Sequence, residues 1–460
     1  MTRPAFRAAL AHLAAAVLLT RAAAADPLTF TAARTRLLAT SPGLAAARAE
    51  EARRAEGELA ARGLAWPTVE VGARFTRIDE PIVIDLAPIR QVILALHPAV
   101  PAALVPPFTL DVQDESFLRG DVRLTWPLFT AGRIPAAQRA AAAESAEAAA
   151  ERRSTEGRLS TDLARRYFGV RLAARVLALR EEELAGLRDH ARQARRLEEE
   201  GQIARAERLR ADVAVAEATR DLENARQDLE LARSALERLL ALPGAADPAT
   251  SLPRPIELAP LASFVAQARE AHPALARLAA QRELARQARA AARGELLPEL
   301  YAFGVRELYE PDLTLLDPAW AVGLGARWTL FDGGRRRHKI AAAERLGERV
   351  EALTTQAGDD IALSTERAYR NAEKARTQHA ALAAVRELAA EALRAREHAF
   401  AEGFATSLDV VDARNTLTRV EVGRLAAAND WAVALAELLE ACGTSDELPA
   451  RLAALPAEEP

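Results

Sequence analysis

The feature that most constrains this 460-residue chain is that it repeats itself. Trp126-Pro127-Leu128-Phe129, followed by Thr130-Ala131-Gly132-Arg133, returns as Trp328-Thr329-Leu330-Phe331, followed by Asp332-Gly333-Gly334-Arg335. The offset of 202 residues persists downstream, where Tyr167 corresponds to Tyr369 and Glu200-Gly201 to Glu402-Gly403. Upstream the offset is 231, set by Ser41-Pro42-Gly43-Leu44 against His272-Pro273-Ala274-Leu275 and by Trp66-Pro67 against Leu297-Pro298. Such self-similarity implies one supersecondary unit built twice. The first copy carries 29 extra residues between Pro67 and Trp126. Pro81, Pro88, Pro98, Pro101, Pro106 and Pro107 crowd that stretch, which predicts a loop over 79–116 rather than a strand or helix.

Each half reads in the same order. A helix comes first, over Leu44–Leu64 and Ala274–Leu296, and a proline then opens a pair of strands. In the second strand of each pair, Val122, Leu124, Trp126 and Leu128 alternate with Asp121, Arg123 and Thr125, and Val322, Leu324, Ala326, Trp328 and Leu330 alternate with Gly323, Gly325, Arg327 and Thr329. Period two means one apolar and one wet face. Val69–Phe75 also alternates, whereas Leu300–Val305 does so less cleanly. A very long helix follows, from Pro135 to Glu199 and from His338 to Glu402. Each is ~65 residues, or ~97 Å at the helical rise. Leu163, Val170, Leu177 and Leu184 recur every seventh residue, as do Val215, Leu222, Leu229 and Leu236 on the helix after Gly201. That spacing predicts coiled-coil-like packing, and the abundance of alanine lets helices approach closely.

These readings divide the chain into a signal peptide at 1–25, a first repeat at 26–242, a linker at 243–260, a second repeat at 261–443 and a tail at 444–460. The strands fall at about 67–77, 118–129, 298–308 and 319–331, and the helical hairpins at 135–242 and 338–442. The signal reading rests on Arg3 and Arg7, the apolar Ala8–Leu19 stretch broken by His12, and small residues Ala22 to Ala25 before Asp26. Beyond it no run of ~18 uncharged apolar residues occurs, so no spanning helix is expected. Only helices and closed barrels satisfy their backbone groups in lipid. Net charge is −4 with both signs interspersed through the 27% of charged residues, so nothing points to nucleic acid. The lone Cys442 can form no intrachain disulfide and reads as a small packed residue.

A half-repeat of helix, strand pair, long helix and return helix resembles the TolC family of outer-membrane efflux proteins. The motifs that carry the resemblance are Trp328-Thr329-Leu330-Phe331-Asp332-Gly333-Gly334-Arg335, the paired Trp66-Pro67 and Leu297-Pro298, and the hairpin turn Gly403-Phe404-Ala405-Thr406-Ser407-Leu408-Asp409-Val410-Val411-Asp412-Ala413. The resemblance implies an α+β membrane protein, in which three chains of four strands share a 12-stranded barrel continuous with a coiled-coil periplasmic tube. It implies a homotrimer in outer-membrane lipid that works with a periplasmic adaptor and an inner-membrane pump. Adaptor contact is then expected at the hairpin tips, around Gly201, Gly403, Arg196 and Phe404. The family often has an arginine four residues before the glycine, but Leu197 and Ala399 stand there, with Arg196 one place off. Asp409 and Asp412 correspond to the family's paired aspartates at the periplasmic gate, with Glu207 as the first-half equivalent of Asp409. Three residues apart, the aspartates share a helix face. Three copies around an axis would repel one another, raise some carboxyl pKa values and favour cations. Trp126 and Trp328, at the strand exits, are expected at headgroup depth on the periplasmic side.

Two other readings are a periplasmic coiled-coil adaptor and a purely structural coiled coil. The repeat argues against the first and the Trp-x-Leu-Phe strands against the second. An enzyme is not expected, and no cofactor or metal is implied. Asp332-Gly333-Gly334 lacks the Lys and Ser/Thr of a phosphate loop, the seven histidines are dispersed, and His379 and His398 read as solvated helix-surface residues.

Overall fold

The computed structural model describes residues 28–106, 109–244, 246–309, 311–314 and 317–458. The signal-peptide segment lies outside them. The first half runs α1 (Phe30–Thr40), α2 (Pro42–Gly63), β1 (Thr68–Arg77), β2 (Ile82–Asp85), α3 (Ala87–Leu96), β3 (Thr109–Gln113), β4 (Ser116–Phe129), α4 (Arg133–Glu199) and α5 (Arg205–Leu240). The second half runs α6 (Leu261–Ala271), α7 (Pro273–Gly294), β5 (Glu299–Glu307), β6 (Trp320–Arg327), α8 (Arg335–Ala401) and α9 (Ser407–Ala441), and a short α10 (Leu448–Ala453) closes the chain. The two offsets read from the sequence recur in the element boundaries. α1 and α2 return as α6 and α7 at 231, and α4 and α5 return as α8 and α9 at 202. α1 and α6 were not expected; at eleven residues each, they are too short for a convincing helical period.

The chain forms two compact units. One comprises the described residues up to Glu51, with Ala148–Leu278 and from Leu353 onward; the other comprises Ala52–Glu147 and Ala279–Ala352. In the first unit the heptad positions face inward. Leu163, Val170, Leu229 and Leu236 join Phe30, Tyr167, Phe168 and Trp431 in the largest apolar cluster. Phe30 stacks on Phe168 at 5.7 Å and meets Tyr167 edge-on at 5.4 Å. The Tyr167 hydroxyl donates to Leu28 O (2.6 Å) and accepts from Thr250 N (2.8 Å), which pins the 243–260 segment to α4. Residues 252–254 also pair with the chain's last described stretch: Arg254 N donates to Pro456 O (2.8 Å) and Glu458 N to Leu252 O (2.8 Å). This strap buries the Glu458 carboxylate, 2% exposed, between Arg424 (2.6 Å) and His379 (2.9 Å). His379 is therefore buried and paired, not solvated, because a segment distant in sequence folds over it. His398 is exposed. Cys442 is buried at the end of α9, where burial pushes its thiol up to about 11.

The second unit holds a four-stranded antiparallel sheet in the order β1-β4-β5-β6. Register places Val69 opposite Leu124, Val71 opposite Val122, Leu124 opposite Gly304 and Gly304 opposite Val322. One face thus carries Val69, Val71, Phe75, Leu118, Leu124, Val322 and Leu324, all exposed. The weak alternation of β5 has a cause. Leu300, Ala302 and Gly304 lie on this apolar face while Tyr301 and Phe303 lie on the other, each ring covering a glycine of β6, Gly325 and Gly323. Aromatic and glycine thereby complement each other across the strands. β6 ends at Arg327, four residues short of the expected boundary, so Trp328 follows the strand instead of lying in it.

The proline-rich stretch at 79–116 is not a loop throughout. β2 and β3 pair antiparallel, and between them Ala87–Leu96 is helical. Prolines are compatible because Pro88 sits in the first helical turn, where its missing N–H breaks no bond. The β-branched Ile82-Val83-Ile84 supplies strand propensity. The Arg90 guanidinium turns inward to Val105 O (2.8 Å) and Ala102 O (3.0 Å).

The packing contrast along α5 yields a direct test. Leu236 is fully buried and Leu231 is 70% exposed. Leu236→Ala should cost about 2–5 kcal/mol by leaving a cavity, and Leu231→Ala about 0.5 kcal/mol or less. Thermal unfolding of the detergent-purified protein reads the difference.

Candidate functional site at the hairpin tips

Both helical hairpins turn on glycine. Gly201 and Gly403 have φ of +74° and +77°, the left-handed conformation that ends a helix. At the first tip Gly201 N donates to Glu198 O (2.9 Å) and Gln202 N to Leu197 O (2.8 Å). At the second, Gly403 N donates to Phe400 O (3.1 Å) and Phe404 N to Ala399 O (2.8 Å). Leu197 and Ala399, where an arginine would match the resemblance, thus contribute through their carbonyls, a role blind to side chain.

The return helices start differently. Thr406 and Asp409 form a reciprocal capping box at α9: Asp409 Oδ2 accepts from Thr406 N (2.8 Å) and from the Thr406 hydroxyl (2.7 Å), and Thr406 Oγ1 accepts from Asp409 N (3.3 Å). The Thr406 bonds hold the Asp409 carboxyl below the usual carboxylate range. α5 has no side-chain cap at Ala204. Its first-turn acid, Glu207, instead crosses to the other hairpin, where Oε2 accepts from Ser407 N (2.8 Å). Asp409 and Glu207 therefore take the consecutive N–H groups of Thr406 and Ser407, donors that no intrahelical carbonyl can satisfy.

Ser407 is fully buried, and its hydroxyl lies 2.7 Å from His190 Nε2 on α4. The His190 ring packs 4.5 Å from Phe400. Burial lowers the His190 pKa to about 4, with the Arg414 charge acting in the same direction and Glu207 opposing it. Each hairpin also carries an ion pair at equivalent positions with the charges reversed. Arg195 faces Asp212 at 3.9 Å in the first, and Glu397 pairs with Arg414 in the second.

Of the residues singled out from sequence, Glu207 and Asp409 are brought together at the start of α9. Asp412 is exposed one turn on, and Arg196 and Phe404 are exposed at the tips. Trp126 and Trp328 belong to the other unit. Trp126 Nε1 donates to Ala65 O (3.1 Å) and Trp328 Nε1 to Leu296 O (3.0 Å), two bonds related by the same 202 and 231 offsets. Both rings remain about half exposed. Sequence reasoning missed His190, Ser407 and Arg414. The charge reversal at 195/397 and 212/414 was a readable sign for Arg414, whereas nothing at 202 residues' distance marks His190. Among the described residues no group of three or more His, Cys, Asp and Glu is placed to hold a metal ion.

A histidine whose folded pKa lies below its unfolded value stabilises the fold above ~6.5 and loses that contribution as pH falls toward the folded value. The protection of tip amides against hydrogen exchange, taken relative to the intrinsic rate at each pH, should therefore fall as pH drops from 6.5 to about 4. His190→Gln should flatten that dependence; an unchanged profile in the variant would remove His190 as its source.

A sequence profile of outer membrane efflux proteins matches residues 33–242 and again 264–444. Outer membrane efflux protein BepC of Brucella suis biovar 1 (strain 1330) is 30% identical over 310 residues, 64% of this chain and 65% of BepC, so the chain spans just under two thirds of that relative's length. The fold is shared with a membrane protein from Pseudomonas aeruginosa, at a TM-score of 0.73 and 18% identity over 90% of each chain. It is shared likewise with the open state of the Neisseria gonorrhoeae MtrE outer membrane channel, at a TM-score of 0.71 and 19% identity over 90% of this chain and 89% of that one.

Proposed function

The chain belongs to the outer membrane efflux protein family and is an outer-membrane protein, and from that premise we propose that it is one subunit of a trimeric export duct. The duct passes substrates from a periplasmic adaptor and inner-membrane pump to the exterior, a role without catalysis or cofactor. The observation that carries this reading is the four-stranded sheet with an exposed apolar face and open edges at β1 and β6. In lipid every strand edge must be paired, and the smallest single-chain barrels need about eight strands. Three copies, with β1 of one beside β6 of the next, supply twelve. Element boundaries repeated at constant offsets support an internal duplication as the origin of the two halves.

In this arrangement Trp126 and Trp328 lie at the periplasmic headgroup level, which their exposure and their bonds to the ends of the preceding helical segments suit. The 79–116 insertion, carried between β1 and β4 at the end of the sheet away from α4, is extracellular, where such barrels keep their long connections. Gly201, Gly403, Arg196 and Phe404 present the adaptor-facing tips. Asp409, Asp412 and Glu207 form the periplasmic gate. Asp409 caps α9 and Glu207 ties the hairpins through the Ser407 N–H, leaving Asp412 as the exposed acid that faces the permeating ion. In this reading the cargo is selected by the inner-membrane pump.

Two measurements test the reading. Native mass measurement in detergent should give a trimer; a stable monomer without heat-modifiable β-structure would overturn it. In planar bilayers the channel should prefer cations and be blocked by multivalent cations. Asp412→Asn should weaken both properties while leaving the tips folded, and Asp409→Asn should also loosen the tips because it dismantles the capping box. Unchanged selectivity and block in the double variant would reduce the two aspartates to helix-start residues.

A further inference from the structure

Five basic residues in succession, Arg335-Arg336-Arg337-His338-Lys339, open α8, whose first turn contains no acid. A helix N-terminus is the positive end of the helix dipole, so cations there are unfavourable. The fold does not require the run: the equivalent positions of the first half are Arg133, Ile134, Pro135, Ala136 and Ala137. Arg336 is built into the structure, with Nε 2.9 Å from Asp332 Oδ2 and Nη1 2.9 Å from Glu295 O. The Asp332 carboxylate also accepts from Gly334 N and Arg336 N, and is thereby committed to starting the helix. Lys339 reaches Glu295 at 2.7 Å, and Arg335 stands 3.8 Å from Asp332. Arg335, Arg337, His338 and Lys339 are all exposed. A chain of net charge −4 thus concentrates cations at one place.

That place directly follows the membrane-facing sheet. β6 ends at Arg327, and Trp328, Leu330 and Phe331, the last two 76% and 87% exposed, fill the gap before the basic run. Exposed apolar side chains followed immediately by a run of exposed cations, of which Arg337 enters none of the contacts above, suit a boundary at which acyl chains give way to negatively charged headgroups. We propose that Arg335, Arg337 and Lys339, spread around the first turns of α8 and preceded in the chain by Leu330 and Phe331, form a docking surface for anionic phospholipid headgroups of the periplasm-facing leaflet. The proposal rests on the reading that the sheet spans the outer membrane. Charge complementarity selects the occupant: a zwitterionic headgroup offers the cations no net attraction, whereas each Lys or Arg at an anionic surface strengthens binding about fivefold.

The test uses the full-length trimer in detergent, titrated with phosphatidylglycerol or phosphatidylcholine and read by native mass measurement of retained lipid. The wild type should retain phosphatidylglycerol in preference. Arg335→Gln/Arg337→Gln/Lys339→Gln should lower that preference by at least about tenfold. Arg337→Gln alone, which breaks none of the contacts above, should lower it about fivefold. Arg345→Gln/Arg349→Gln, further along the same helix, should leave it intact. Equal retention by the triple variant, the same loss in the Arg345/Arg349 variant, or displacement of the lipid by millimolar inorganic phosphate would each overturn the proposal. Absence of a trimer would instead overturn the duct reading, whereas a trimer indifferent to headgroup charge would overturn only the docking surface.

Discussion

With the sheet spanning the membrane as proposed, backbone hydrogen bonding within lipid is the constraint on which the rest of the structure depends. β1 and β6 each have one neighbour in the chain's own sheet, and water cannot satisfy their outer edges inside a membrane. In the proposed duct, neighbouring copies supply the partners for these edges. The exposed apolar side chains of that sheet would be an aggregation hazard on a water-soluble domain; against acyl chains they are ordinary. The glycines of β6 follow the same logic on the opposite face, since Gly323 and Gly325 make room for the Phe303 and Tyr301 rings at the strand crossing.

The tips solve a related problem in water. A helix start leaves unpaired N–H groups, and α9 satisfies two of them with carboxylates from different sources. Asp409 comes from its own first turn, and Glu207 from the neighbouring hairpin. The second bond makes a local necessity into a tie between hairpins, and the buried His190–Ser407 contact beside it adds a group that favours the neutral form.

Much of this was legible in the sequence because repetition and periodicity are local signals. The long helices, their glycine turns and the strand alternation could be read from Gly201, Gly403 and the Trp-x-Leu-Phe segments. What escaped was set by residues distant along the chain. His379 looked like a surface histidine until Glu458 covered it. His190 meets Ser407 across 217 residues. The 79–116 insertion escapes for a different reason: a proline breaks structure only where an N–H is needed, and Pro88 in the first turn of α3 needs none. Trp328 fell outside its strand because apolar alternation continues past Arg327 while the ladder to β5 ends there.

The reversed ion pairs bear on a difficulty peculiar to a chain built of two similar halves. Two long helices of 67 residues and two return helices of 36 and 35 residues can be partnered in more than one way during assembly, and apolar heptads alone discriminate poorly among them. α4 and α9 already touch through His190 and Ser407, but pairing them as hairpin partners would set Arg195 against Arg414, and pairing α8 with α5 would set Glu397 against Asp212. Each native pair is exposed enough to contribute about 1 kcal/mol or less, yet a mispaired arrangement forfeits both and gains two like-charge encounters. The two hairpins thus carry complementary labels, and the labels distinguish self from near-self within one polypeptide.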